Sequence, residues 1–201
     1  PDPMSVVSSE KEIFKILFLS DTHLGFDYPP KPRVIRRRRG PDFFESYYKA
    51  LWPAFDGSVD FVVHGGDMFF RSKVHPSIVE KAFEPLHQIA DNGIPVLIVP
   101  GNHERGNIPI SLLETHPNIY IFHNPTTFVF KRNFKTIGFS GFPYYYKGVR
   151  DHFVNLANKA RSSQEKYDAN FLCLHHLFAG SHVGAQNFVF KSGKDVISPH
   201  N

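Results

Sequence analysis

The sequence predicts an α/β fold in which parallel β-α-β units come first and shorter strands build a second sheet. Three observations predict it. Apolar runs of strand length alternate with helix-spaced segments through the first hundred residues. Each of the early apolar runs stops abruptly at Gly, Ser, Asp or Asn. Beyond residue 117 the apolar segments shorten and turn residues crowd between them.

"IFKILFLS" reads as a buried strand that ends at Ser20, with "DTHLG" directly behind it. Residues 26–40, rich in Pro and Arg, read as a long exposed loop. In "GPDFFESYYKALWPAF", Phe43, Phe44, Tyr47, Leu51 and Phe55 share a helical face, and Pro41 and Asp42 suit a first turn. "VDFVVHGGD" is a second strand that runs into glycines. "HPSIVEKAFEPLHQIADNG" is a second helix, closed by Asn92-Gly93. "IPVLIVPGNH" is a third strand. "NIYIFH", "TTFVFK" and "KTIGFSGFP" read as a meander on a second sheet, "VRDHFVNLANKARSSQEKY" as a helix, "ANFLCLHH" as another buried strand, and "QNFVFKSGKDVIS" as a last strand and turn.

The length of 201 residues suits one domain, here 13–201, and residues 1–12 are expected to be disordered or foreign to the natural chain. A composition of 41% hydrophobic and 21% charged residues is that of a globular protein. No apolar run reaches the roughly 18 residues of a membrane span, and no signal peptide is recognisable, so no membrane association is expected. With a single cysteine, Cys173, an internal disulfide is ruled out, and a cytoplasmic location fits best. The net charge of +4 is concentrated: "KPRVIRRRR" holds six basic residues, without which seventeen basic residues face nineteen acidic ones. Such a segment attracts polyanions, and Arg36, Arg37, Arg38 and Arg39 are candidates for tracking a phosphate backbone. A solvated charge run is the plainer alternative.

The chemistry lies at the strand ends. Asp21 and His23 follow the first strand, Asp67 the second, Asn102 and His103 the third, and His175 the late one. Parallel sheets gather their carboxyl ends on one edge, where ligands bind. Asp21 and His23, two apart, point the same way if the backbone is extended. Asp67 has two oxygens with which to bridge a pair of ions. Each fragment alone has a plain reading as a turn or a cap; together they form a mixed oxygen and nitrogen donor set. Such a set suits manganese, iron or zinc, and two such ions can clamp a phosphoryl group.

These motifs resemble those of the calcineurin-like metallophosphoesterase superfamily, standing here as "DTH", "GGD", "GNHE" and "LHH". "DTHLGF", "VVHGGDMFF" and "VPGNHER" look like the SbcD-type double-strand-break repair nuclease branch, and the likeness covers residues 13–198. The resemblance implies a two-sheet α/β sandwich with helices outside and a dinuclear site, most often manganese. Asp21 and His23 would hold one ion, Asp67 would bridge, and Asn102 and His175 would hold the other. His103 would serve as the acid facing the scissile phosphate, with Glu104 orienting its ring. His64 and His176 would be supporting residues. DNA is the implied substrate and an ATPase the implied partner; oligomeric state is left open. The family's final G-H-x-H motif is missing, so the chain is expected to be a C-terminally incomplete version of the domain or to carry a degenerate site. Two rival readings follow: a phosphoesterase of the same fold acting on cyclic nucleotides or phosphoproteins, or a non-catalytic nucleic-acid-binding domain. Tyr144, Tyr145 and Tyr146 read as sheet packing or as base-stacking rings, and Phe69-Phe70 as core or as a wedge beside the site.

Overall fold

The computed structural model of the chain describes residues 14–105, 108, 116–161, 166–183, 188–189 and 192–198. The N-terminal stretch 1–12 lies outside them. Four strands, β1 (Ile16–Leu19), β2 (Phe61–His64), β3 (Val96–Ile98) and β4 (Ile119–Ile121), form one parallel sheet in that spatial order. Helices α1 (Gly40–Phe55) and α2 (Pro76–Asp91) make the first two crossovers. A second sheet has the order β5 (Thr126–Arg132), β6 (Lys135–Gly141), β7 (Ala169–Cys173), antiparallel in the first pair and parallel in the second.

Alternation along the central strands sorts the layers. Val62, Val96 and Ile98 face α1 and α2, where Phe44, Tyr47, Leu51, Phe83 and Leu86 are buried against them. Phe61, Val63, Leu97 and Val99 face the other way, onto Ile137 and Phe139 of the second sheet. Strands buried on both faces therefore read as continuous apolar runs. Phe61, fully buried, meets the rings of Phe14, Phe130 and Phe139. Helix α3 (Val149–Ala160) lies against β5 and β6, so helices flank the two-sheet sandwich on both sides.

Both α1 and α2 carry an internal proline, Pro53 and Pro85. Pro85 has no amide to give the Lys81 carbonyl. The Tyr48 hydroxyl of α1 donates to that carbonyl instead, at 3.2 Å, and Tyr47 donates to Ala82 O at 3.0 Å. Helix α2 closes as expected: Asn92 is the C-cap and Gly93 sits at φ +82°, a left-handed position that glycine adopts freely.

Three expectations need correction. "NIYIFH" joins the first sheet as β4 and not the second, because Ile119 and Ile121 feed the helical core while Tyr120 feeds the core between the sheets. The meander is only a hairpin: β5 and β6 turn at Asn133-Phe134, both left-handed, and β7 then runs parallel to β6. The segment 186–198 yields two short strands: β10 (Phe188–Val189) pairs with β9 (His182–Val183), and β11 (Val196–Ile197) with β8 (Leu177–Phe178). Among the described residues no helix is long and apolar enough to cross a membrane.

Candidate metal centre

The loops that leave β1 and β2 run side by side and continue the pairing of their strands. Asp21 N–H donates to Gly66 O at 2.9 Å, His23 N–H to Asp67 O at 3.0 Å, and Leu24 N–H to Met68 O at 2.7 Å. Within this ladder Asp21, His23 and Asp67 have φ of 56°, 43° and 51°. The extended backbone expected around "DTH" is thus replaced by left-handed residues. A non-glycine side chain there costs about 1 kcal/mol or more and persists only when its surroundings hold it. Here the interloop hydrogen bonds hold it.

Asp67, only 5% exposed at its side chain, is the hub. Its Oδ2 lies 3.4 Å from His175 Nε2, 3.8 Å from His103 Nε2 and 4.0 Å from His23 Nε2, and Asp21 Oδ1 lies 3.9 Å from His23 Nε2. Two donor groups result, His23–Asp67–His103 and Asp21–Asp67–His175, which share the one carboxylate. His175 Nδ1 is 2.8 Å from Gly65 O, and His103 Nδ1 is 2.6 Å from Phe70 O. A carbonyl only accepts, so each Nδ1 carries the proton and each Nε2 is turned toward Asp67. Burial pushes the Asp67 carboxyl up, but the His175 contact, the His103 amide at 2.9 Å and the two imidazole charges outweigh it and leave it below the ordinary range. Burial pulls His175 down, and the Asp67 carboxylate more than reverses that. Glycine is required beside the hub: a Cβ at Gly101 would overlap Asp67 Oδ1, and one at Gly66 would overlap the His175 ring.

Asn102 is exposed and lines the cleft of about 580 Å³ that also holds Asp21, Asp67 and His175. Its carbonyl accepts the Tyr146 hydroxyl at 2.5 Å. The hydrogen bond that orients the His103 ring goes to the Phe70 carbonyl, while the Glu104 oxygens are turned to backbone amides. Glu104 is buried, with Oε1 accepting Phe69 N–H at 2.6 Å and Oε2 accepting Gly101 N–H at 2.7 Å, so it joins two loops of the site. Its carboxyl is raised by burial, partly offset by those two amides.

His64 sits beneath the site. Thr22 Oγ1 donates to Met68 O at 3.1 Å and lies 3.0 Å from His64 Nε2, and His64 Nδ1 accepts Gly66 N–H at 3.3 Å. The imidazole is therefore neutral with its proton on Nε2, and burial drives it down to about 3. His176 accepts Tyr145 N–H at 3.1 Å and stacks on Tyr144 at 4.5 Å; burial lowers it to about 4. Tyr146 is 51% exposed beside this pair. Phe69 is core, stacked on Phe83 at 6.3 Å, whereas Phe70 is half-exposed. Cys173 is buried and its thiol is pushed up to about 12, which leaves it inert.

The basic loop is folded onto one acid that the sequence did not single out. Asp27 accepts Arg36 Nη2 at 2.7 Å, Arg38 Nη1 at 3.0 Å and the Arg39 amide at 3.0 Å. The Arg39 amide, then the Arg38 and Arg36 guanidiniums, hold its carboxyl at about 2. Arg39 pairs with Asp42 at 2.7 Å, and Arg37 stays 84% exposed. Arg36 and Arg38 are thus engaged structurally, and the segment, exposed over residues 30–37 as expected from its composition, is pinned to Asp27. Arg39 lines a cleft with Asp21 and Thr22, which brings the end of the loop to the flank of the centre.

Oxygen and nitrogen donors, no thiolate, a shared carboxylate and imidazoles preset by backbone carbonyls fit a pair of borderline divalent cations. Fold, strand-end geometry and donor set are of the kind a metallophosphoesterase requires, and the chain belongs to the calcineurin-like phosphoesterase family, whose model matches residues 14–196. Among curated proteins it is similar to the DNA double-strand break repair protein Mre11 of Archaeoglobus fulgidus, 30% identical over 151 residues, covering 74% of this chain and 33% of that protein. The Mre11 proteins of Haloferax volcanii and Methanocaldococcus jannaschii are 32% and 24% identical over 50% and 78% of this chain, and 22% and 42% of their own lengths. The chain spans less than half the length of these relatives.

Proposed function

We propose that this chain carries the catalytic centre of a metal-dependent phosphodiesterase that cleaves DNA. The observation that carries the reading is the convergence of His23, His103, His175 and Asp21 on the buried Asp67 carboxylate. Asp21, His23, Asp67, Asn102 and His175 would hold two divalent ions, manganese being the best match to the donors. When bound, such a pair supplies charge neutralisation at the phosphoryl oxygens and lowers the pKa of water.

The chain's own residues supply the rest. Phe70 O fixes His103 Nδ1–H, so Nε2 is the atom free to carry a second proton to the departing oxygen. At 42% side-chain exposure His103 stands at the mouth of the site, where a substrate reaches it. Asp67, held ionised, stabilises the imidazolium form that this transfer needs. Glu104 sets the height of the Asn102-His103 turn through Gly101.

The test is hydrolysis of single-stranded DNA and of bis-p-nitrophenyl phosphate with added manganese, comparing the wild type with Asp67→Asn. Asn keeps an oxygen for the His103 amide but loses the charge, and activity should fall at least about 10³-fold with the melting temperature preserved. Full activity in this variant would overturn the assignment. A chain that cleaves cyclic nucleotides or phosphopeptides in preference to DNA would overturn the choice of substrate.

A further inference from the structure

A cavity of about 270 Å³ opens between the 25–38 loop and the start of α2, and it shares no lining residue with the cleft over Asp67 and His175. Its charged lining is Arg38, Arg71 and Asp27. Asp27 is already saturated by Arg36, Arg38 and the Arg39 amide, so its charge is outweighed. Arg38 is three-quarters buried, and its Nε is buried with no partner among the described residues. Arg71 is exposed, with its guanidinium carbon 4.6 Å above the Phe70 ring and no acid paired to it among the described residues. A cation held against an aromatic face keeps its outward N–H groups available to an anion. Pro30 and Val74 add apolar wall.

The pocket is coupled to the chemistry by one residue. Phe70 places its ring under Arg71 and its carbonyl on His103 Nδ1. Gly25 of the cavity wall lies two residues beyond His23. An anion seated on Arg71 and Arg38 therefore sits on the His23–His103 side of the centre.

We propose that this cavity is a subsite for the phosphate of a nucleotide flanking the scissile bond, with its sugar against Pro30 and Val74. The inference rests on the phosphodiesterase reading and narrows it: the substrate is a polynucleotide strand, since a phosphomonoester or a cyclic mononucleotide has no second phosphate to place there. Two guanidiniums, one of them a fork with no acid paired to it among the described residues, match a phosphodiester by charge-assisted hydrogen bonds.

The test is fluorescence anisotropy with a fluorescein-labelled oligothymidylate in EDTA, so that binding is read without metal. Arg71→Ala should weaken binding about tenfold, and the log–log salt dependence should flatten by about 0.7, the loss of one single-strand phosphate contact. Arg71→Lys keeps the charge, so the salt slope should stay at the wild-type value. Lys159→Ala, exposed on α3, should bind as the wild type does. An Arg71→Ala protein with unchanged affinity and slope, or an equal loss in Lys159→Ala, overturns the subsite. Manganese-dependent hydrolysis of bis-p-nitrophenyl phosphate by the wild type is read separately. Arg71-dependent binding without hydrolysis would overturn the catalytic reading alone, and hydrolysis without Arg71-dependent binding would overturn the subsite alone.

Discussion

Glu104 and Phe69 are joined by a 2.6 Å hydrogen bond that fastens the loop after β3 to the loop after β2. The second oxygen of the same carboxylate holds Gly101, so the loop carrying Asp67 and the loop carrying Asn102 and His103 hang on one buried side chain. Glu104→Gln turns an amide donor toward one of the two N–H groups. Bonds to a charged acceptor are worth about 1.5–3 kcal/mol, so this variant should lose about 2 kcal/mol in urea unfolding. Manganese affinity, read by calorimetry, should fall as well. An unchanged unfolding midpoint would mean that the two loops are held by something else.

The role proposed for His103, protonation of a leaving oxygen, gives a substrate-dependent signature. A nucleoside alkoxide needs that proton and p-nitrophenolate does not. His103→Asn should reduce DNA cleavage by about 10²-fold or more and bis-p-nitrophenyl phosphate cleavage by much less. Equal losses on the two substrates would assign His103 to holding metal or phosphate instead.

Tyr48 and Pro85 form a compensating pair across the two helices. Tyr48→Phe leaves the Lys81 carbonyl without its donor and should cost about 1 kcal/mol. Pro85→Ala restores a backbone amide at that position, and in its presence Tyr48→Phe should become nearly neutral. Additive effects in the double-mutant cycle would show that the hydroxyl and the proline do not share that carbonyl.

His64 predicts how stability depends on pH in the metal-free protein. Its folded pKa, about 3, lies below the ordinary value of 6.5, chiefly through burial and then the His175 charge. The folded state therefore holds the neutral ring while the unfolded chain takes up a proton below about pH 6.5. Its contribution is complete above that value and is lost as pH falls, by about 2 kcal/mol at about pH 5. Asp27, held at about 2 against an ordinary 3.8, contributes above 3.8 and is lost as pH falls toward 2, so its window lies below that of His64 and meets it only between about 3 and 3.8. Urea midpoints in EDTA should drop between about pH 7 and pH 5, with His176, lowered to about 4, adding to the loss and the raised His175 opposing part of it; a His64→Gln protein with the same drop as the wild type would contradict the neutral, buried His64 ring.

The elements that the sequence announced were those with local causes. The face of α1 that buries Phe44, Tyr47 and Leu51 follows from spacing, and the stop at Asn92-Gly93 follows from backbone freedom. Asp21, His23, Asp67 and His175 were legible because each follows an apolar strand; the parallel sheet brings the tips of β1 and β2 together, while His175 arrives from β7 of the second sheet. Sheet membership of β4 was not legible, since alternation in "IYI" is compatible with either sheet and only the neighbour decides. Left-handed backbone at Asp21 and His23 was hidden because its cause is a hydrogen-bonded loop forty-five residues away. Asp27 escaped notice for a similar reason: nothing in "GFDY" announces three guanidinium and amide donors arriving from residues 36–39. Glu104 was read through its sequence neighbour His103, while its partners are two backbone amides.

The tetrapeptide from Asp67 to Phe70 gives the centre its shared carboxylate, gives Glu104 an amide and gives His103 a carbonyl. These three offices cannot be retuned one at a time. A sideways drift of that short run would move the shared carboxylate, the Glu104 anchor and the His103 contact together, so a change read at any one of them should be read at all three.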